Sequence, residues 1–483
     1  MQVERWLEGV RALDVLVVGD ALLDEYLRGT STRLCREAPV PVVGVQERQA
    51  SPGGAGNVAV AAAALGAHVR LLSAVGDDDD GRALVGALRA AGVDADDVVV
   101  DPTRRTLAKR RVVAGDQLVV RYDEGSTAPL GPQAQRRLAA RLLRLWDGAR
   151  AVVVSDYGSG VVDDALLAVL ADLQAASPRT LVVDAHDPAR YRGVGATAVK
   201  PNALELAALL GPLGADRPAA VAAGADALHA RSGARVVAGT LDRDGAVVCE
   251  QGRPPHRTWT RGVADSRACG AGDSFTASLA LGLASGLPVP AAADLAQAAA
   301  DVVTGREGTS TCSADDLRAQ VGGARLEDVD ALAARLAAAR REGRTVVLAN
   351  GCFDLLHRGH VALLARAKAL GDVLVVALNT DASTAALRGP DRPVHPLEDR
   401  ARVLAALGCV DHLVAFDEPT AEALVGRLRP DVLVKGGDHA FEQVPEAEAV
   451  RAYGGTVRLL PYVHEETTTA LVDRIRGAAA STP

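Results

Sequence analysis

Residues 345–360 read TVVLANGCFDLLHRGH. The β-branched, apolar run Val346-Val347-Leu348 has the composition of a buried strand. Asn350-Gly351 breaks it, and His357, Gly359 and His360 stand where an apolar helix begins (Val361, Leu363, Leu364, Ala367). A strand that feeds a helix N-terminus through a glycine-containing loop is an anion site, because free backbone N–H groups and the positive end of the helix dipole face the ligand. Two imidazoles three residues apart share one face of such a helix, and Gly359 leaves room for a phosphate to approach the backbone.

The stretch closely resembles the H-x-G-H signature of the nucleotidyltransferase superfamily. The resemblance implies a Rossmann-like domain that binds a nucleoside triphosphate and lets a phosphate or alcohol attack its α-phosphorus. An ionised phosphate needs no activating base, so catalysis becomes positioning plus stabilisation of charge on the α-phosphate and the departing pyrophosphate. His357 and His360 are expected in that role, with Asn350, Gly351, Phe353, Asp354 and Gly359 around the nucleotide. Two other readings of the histidine pair stay open. A zinc site would need i, i+4 spacing and an intervening Glu, as in H-E-x-x-H; the pair could also be two unrelated structural histidines.

Downstream, residues 373–378, 410–416 and 432–434 read as strands. Asn379, Asp381 and Ser383 follow the first of these at its ligand-facing end, and residues 388–394 (RGPDRPV) form a basic loop able to hold phosphates. Lys435-Gly436-Gly437-Asp438 closes the last strand, and residues 466–469 (ETTT) precede an apolar helix start, where one Thr serves equally well as a plain N-cap.

The chain as a whole has 483 residues, long enough for two to four domains. Aromatic residues make up 3%, so the cores must be built of Ala, Val and Leu. A net charge of −8 argues against a general nucleic-acid binder. No run approaches the length of a membrane span, and the start MQVERWLEGVRALD lacks a signal-peptide core. Cys35, Cys249, Cys269, Cys312, Cys352 and Cys409 form no C-x-x-C pairing, as expected of a reduced, cytoplasmic protein. Of 53 basic residues only Lys109, Lys200, Lys368 and Lys435 are lysines, which marks them as places where a compact point charge is wanted, or as chance survivors.

In the first half, residues 14–19 (DVLVVG) read as a buried strand with Asp20 and Asp24 beyond its C-terminal end, where open α/β sheets bind ligands. Residues 37–46 suggest a small lid sheet, and residues 51–59 (SPGGAGNVA) a glycine loop leading to a helix from Val58. Gly53, Gly54 and Asn57 of that loop are candidates to meet a ligand. Residues 69–75 read as one strand and Asp77 to Asp80 as a solvated loop. A hairpin spans residues 106–123 and carries Lys109, Arg111 and Arg121. Residues 152–155 and 181–184 are further strands, the first ending in Asp156-Tyr157, and Asn202 and Glu205 lie three apart. Strand–helix alternation at this pitch implies a mainly parallel sheet.

Residues 268–277 (ACGAGDSFTA) decide the chemistry of this half. Gly270-Ala271-Gly272 precedes an apolar helix, so its amides would form an anion hole. Asp273 in the first turn could take a proton from a substrate hydroxyl, or merely cap the helix. SPGGAGNVA, NALE and GAGD in this order resemble a ribokinase-family sugar kinase. That resemblance makes Asp273 the catalytic base and Gly270, Ala271 and Gly272 the anion hole. It sets Asn202 and Glu205 to place Mg²⁺-bound phosphates, and turns Asp20, Asp24, Gly53, Gly54 and Asn57 toward the sugar. The family pattern D-x-T-G-A-G-D carries Arg267 and Cys269 at its Asp and Thr positions here.

Taken end to end, the chain resembles the bifunctional enzymes that fuse a heptose 7-phosphate kinase to a heptose 1-phosphate adenylyltransferase. The marks are GDALLDEY, EAPVPVV, GGAGNVA, SDYGSG and GAGD, then NGCFDLLHRGH, LNTDAST, RPV, LVKGGD and TTT. Ser159 and residues 184–190 (DAHDPAR) depart from the usual SDYGKG and D-P-K-G. The resemblance implies an α/β protein: a ribokinase-like three-layer α/β/α domain with a small β lid over residues 1–320, a linker and helix over 321–343, and a Rossmann-like nucleotidyltransferase domain over 344–483. It adds Lys109, Arg111 and Asp156 to the sugar-phosphate site, and Lys435, Arg392 and Thr468 to the ATP phosphates. ATP and Mg²⁺ are the implied cofactors, with no resident metal. A separate C7 phosphatase is the implied partner activity, and a homodimer the implied assembly. The same two chemistries on another sugar or polyol phosphate, or a non-catalytic kinase-like half, are the alternatives.

Overall fold

A computed structural model of the chain describes residues 2–115, 117–260, 268–306, 308–322, 326–436 and 444–460. Two compact units emerge, Met1–Gln320 and Val321–Pro483.

The first unit is built on an eight-stranded sheet. Its order is His256–Thr258, Ala246–Glu250, Val236–Thr240, Ala198–Val199, Thr180–Ala185, Ala151–Asp156, Asp14–Gly19, His68–Leu72. The six strands from Val236–Thr240 onward run parallel, and the two before it pair antiparallel. A parallel sheet is covered on both faces, so its strands are continuous apolar runs such as DVLVVG, buried from Val15 to Gly19. On one face Leu138, Leu142 and Leu170 of helices Pro132–Trp146 and Asp164–Ala176 share a core with Val152, Val154, Leu181 and Val183. Helices Ala55–Ala64 and Ala271–Ala284 pack together on the sheet as well. Their Ala, Gly and Ser residues permit close approach.

A four-stranded lid stands apart, in the order Pro41–Gly54, Ala21–Leu34, Ala108–Ala114, Gln117–Glu124. Here the structure corrects three sequence expectations. Residues 51–54 are not a loop but the end of a lid strand, paired with Ala21 to Asp24, and the helix starts at Ala55 rather than Val58. Residues 69–75 are two strands broken at Ser73, whose hydroxyl bonds the Gly19 carbonyl at 2.6 Å and accepts from Ala21 N at 3.1 Å. Asp77 to Asp80 is not simply a solvated loop: Asp78 caps helix Asp79–Ala90 by accepting from Gly81 N.

The second unit carries a five-stranded, all-parallel sheet ordered His412–Phe416, Val373–Asn379, Val346–Gly351, Val432–Gly436, Thr456–Leu460. The chain begins at the central strand, builds to one side, then returns to build the other. That reversal opens a crevice at the C-terminal end of Val346–Gly351, the place where doubly wound sheets bind ligands. Helix Val329–Arg341 sinks Leu332 and Leu336 into this unit's core beside Leu348 and Val414.

Candidate active sites

The first site forms at the C-terminal ends of the parallel strands. Helix Ala271–Ala284 starts at Gly270, whose φ of +99° suits glycine. A Cβ at Gly270 would also lie 2.3 Å from Asn57 Nδ2. That amide has work: Asn57 Nδ2 donates to Asp273 Oδ2 at 2.6 Å, and the Tyr157 hydroxyl donates to Asp273 Oδ1 at 2.9 Å. Burial pushes the Asp273 carboxyl up to about 6, with nearby Asp184 adding to the rise; Asn57, Lys200 and Tyr157 oppose it. Tyr157 is raised well above its ordinary value, chiefly by the negative charge of Asp273, so it stays a donor. From the lid, Lys109 Nζ sits 5.5 Å from the centre of the Tyr157 ring. Lid residues Arg111 and Asp24 pair at 2.7 Å, and Arg111 lies 5.1 Å over the Tyr26 ring. Tyr26 in turn donates to Cys269 Sγ at 3.5 Å; Arg267 lies outside the described residues.

Several expected sugar contacts are occupied by the protein itself. Asp20 is buried and accepts from Tyr157 N, Ser159 N and Val161 N at 2.9, 2.9 and 3.0 Å. It fastens the loop that presents Tyr157. Asp156 accepts from the Tyr191 hydroxyl at 2.7 Å and Arg190 at 3.1 Å on Oδ2, and from Gly158 N at 2.9 Å on Oδ1. Gly53 and Gly54 answer to packing. A Cβ at Gly53 would lie 2.5 Å from Leu22 Cδ1, and one at Gly54, with φ of +59°, 2.3 Å from the Asp20 carbonyl. Asn202 and Glu205 form a complete capping box on helix Ala203–Leu210, with His186 Nδ1 3.2 Å from Glu205 Oε1.

The second site forms around strand Val346–Gly351 and helix Arg358–Lys368. His357 is the helix N-cap and Gly359 is buried in its first turn. The His357 and His360 rings stack with centroids 3.9 Å apart, and the Phe353 ring lies 5.2 Å from His360. Burial, then the neighbouring His357, lowers His360 to about 4, so it is neutral at physiological pH. Lys435 Nζ reaches Glu446 Oε1 at 2.8 Å, which also accepts from Ala421 N at 3.1 Å and Asn350 Nδ2 at 3.4 Å. Burial alone would raise Glu446, but Lys435 and the backbone donors outweigh it and hold the group low. Gly351 packs against Phe353: a Cβ there would lie 3.3 Å from its ring. Arg392 and Asp354 pair at 2.6 Å, and Asp354 also accepts from Val394 N at 2.6 Å and His395 N at 3.2 Å. Both therefore shape the 388–394 loop through each other. Gly437, Asp438 and Thr468 lie outside the described residues.

Sequence reasoning gave no site role to three groups. It noted Tyr157 at a strand end and Lys200 among the four lysines, and the position of each after a parallel strand was a further signal. Glu446 gave none, since ten residues lie between it and Lys435 and it stands in no motif itself.

Comparison with known proteins follows the same division. Residues 12–316 match the pfkB family of carbohydrate kinases and residues 348–465 the cytidylyltransferase-like family. The chain is 40% identical over 476 residues to the bifunctional protein HldE of Geobacter sulfurreducens, covering 97% of this chain and 96% of that protein. It is 40% identical over 471 residues to the HldE of Pseudomonas paraeruginosa, covering 96% and 97%. Among solved structures, phosphofructokinase-2 from Escherichia coli aligns with a TM-score of 0.53 at 22% identity, over 63% of this chain and 97% of that one. Ribokinase from Arabidopsis thaliana, solved with ribose and ATP, aligns with a TM-score of 0.50 at 19% identity, over 64% and 98%. At these identities the two structures speak to fold alone.

Proposed function

The chain belongs to the family of bifunctional HldE proteins, and from that membership we propose that it builds an ADP-activated heptose in two ATP-dependent steps. In the first, Asp273 accepts the proton of the anomeric hydroxyl of a heptose 7-phosphate as that oxygen attacks the γ-phosphorus of ATP, yielding the 1,7-bisphosphate and ADP. In the second, a heptose 1-phosphate oxygen attacks the α-phosphorus of another ATP and pyrophosphate leaves. Between them a separate phosphatase removes the C7 phosphate.

One observation carries this reading. A single chain holds a donor-braced carboxylate in the first turn of one helix and a stacked histidine pair at the start of another. The first turn of Ala271–Ala284 offers N–H groups to the transferring phosphoryl group, while Lys109 and Arg111 supply positive charge from the lid for the sugar phosphate. Neutral His360, His357 and Lys435 serve the triphosphate in the second half, where they stabilise developing charge without moving a proton. Mg²⁺ would travel with the phosphates and neutralise their charge. Asn202 and Glu205 lie where they could place it in the first half. In the second, Asn350 Oδ1 and Glu446 Oε2, buried without a hydrogen-bond partner among the described residues, leave acceptors open.

We also propose a homodimer through the lid. Val120 and Tyr122, opposite Val112 and Arg110, share one face of strand Gln117–Glu124 and stand exposed there. Sedimentation should give twice the chain mass, and V120E/Y122E should return it to monomer. The activity test is incubation with heptose 7-phosphate, ATP, Mg²⁺ and a C7 phosphatase: mass spectrometry should find ADP-heptose. Its absence, with turnover on another sugar phosphate in a parallel panel, would move the substrate assignment.

A further inference from the structure

Three of the chain's four lysines have evident uses. Lys368 is tied to Asp411 and the Asp372 carbonyl, each at 2.7 Å, Lys435 belongs to the second site, and Lys109 overhangs Tyr157. The fourth, Lys200, follows strand Ala198–Val199 and is buried. Its Nζ pairs with Asp184 Oδ2 at 2.9 Å. The same oxygen accepts from the Thr276 hydroxyl at 2.8 Å, and Thr276 lies three residues beyond Asp273 on the same helix. A Cβ on Gly272 would come within 3.3 Å of Lys200 Nζ. The ammonium therefore abuts the first helical turn, whose amides form the anion hole.

A buried ion pair is a weak device for stability, and a well-packed apolar pair often serves as well. Placed against a phosphoryl-transfer site it has another use, since a fixed charge in a dry setting acts on nearby charge with little screening. The ionisable groups facing Asp273 are Tyr157 after strand Ala151–Asp156, Asp184 on Thr180–Ala185 and Lys200 itself; Glu205 on Ala203–Leu210, with His186 beside it, acts on Tyr157 and Lys200. Lys200 is the ammonium set among these carboxyl groups, and Asp184, Glu205 and Asp273 favour its charged form.

We propose that Lys200 is a positioning residue of the kinase site, a fixed cation behind the anion hole that balances the charge of Asp273 and of the transferring phosphoryl group. The inference rests on the kinase reading of this site.

The test is the pH dependence of kinase kcat/KM in the full chain for wild type, K200M, K200R and D184N, with adenylyl transfer to heptose 1-phosphate as the folding control. Losing the cation should move the acid limb of K200M up by about 1 pH unit or more, and lower the rate at pH 7 about tenfold. K200R keeps the charge and should keep the limb near its wild-type position. D184N removes an anion and releases the ammonium, so its limb should move down. A K200M limb that coincides with wild type, in a variant with intact adenylyl transfer, overturns the proposal. If K200M does not fold, D184N decides, and a limb that stays or rises overturns it. Absence of heptose 7-phosphate turnover in wild type would overturn the kinase reading and this inference together; turnover with an unmoved limb overturns this inference alone.

Discussion

At Asp273 two effects of opposite sign set the ionisation. Burial favours the neutral acid, whereas Asn57, Lys200 and Tyr157 favour the carboxylate, and the balance lies near 6. As the proposed base, Asp273 must be ionised to work, so kinase kcat/KM should be flat above about pH 7 and fall toward tenfold per unit below about pH 6. D273N should lower kinase kcat/KM by about 10²- to 10⁴-fold, with adenylyl transfer unchanged. His360 predicts a flat profile in the other half. With its value near 4 the ring is neutral at ordinary pH, so adenylyl-transfer kcat/KM should show no His360 ionisation between pH 5.5 and 8. Glu446 orients Lys435, so E446Q should lower adenylyl transfer about 10-fold or more while kinase rates hold. Asp273, His357, His360 and Lys435 could be proposed from sequence because each stands in a motif whose spacing has a physical reason. At Asp20 and Asp156 the sequence could not show that each carboxylate fastens an adjacent loop, because a carboxylate beyond a strand end looks the same whether or not it does so.

Two elements test the scaffold. Gly270 combines a left-handed backbone with a Cβ position that the Asn57 amide already fills. G270A should strain the turn by about 1–3 kcal/mol and, by displacing Asn57, lower kinase kcat/KM about 10²-fold. In the second unit Arg400, on helix Leu397–Ala405, is wholly buried. It donates to the carbonyls of Cys352, Asn379 and His395 at 2.5, 2.9 and 3.0 Å and to Asp381 at 2.7 Å, joining three loops at the ligand end of the sheet. R400L should destabilise that unit by about 3–5 kcal/mol in urea unfolding, because it leaves several acceptors unpaired. Strands such as Asp14–Gly19 were legible from their apolar runs alone. The 51–57 segment was not, since its glycines look like a loop until a lid strand is found to need them for close pairing. The role of Arg400 was hidden as well, because an Arg in a helical stretch reads as a solvated surface residue.

Over the whole molecule, two families of fold follow one another in a chain whose cores are Ala, Val and Leu with few aromatic residues. Order of motifs made that division readable from sequence, because each motif belongs at the end of a particular strand. The central claim is that two separate helix N-termini, one beside a carboxylate and one beside paired imidazoles, perform consecutive steps on one sugar. The most direct measurement is product analysis of D273N and H360A supplied with heptose 7-phosphate, ATP, Mg²⁺ and a C7 phosphatase. H360A should accumulate heptose 1-phosphate and stop there. D273N should leave the 7-phosphate unphosphorylated at C1, yet form ADP-heptose when heptose 1-phosphate is added. Wild-type yields of ADP-heptose from 7-phosphate in either variant, or failure of added 1-phosphate to rescue D273N, would contradict the account.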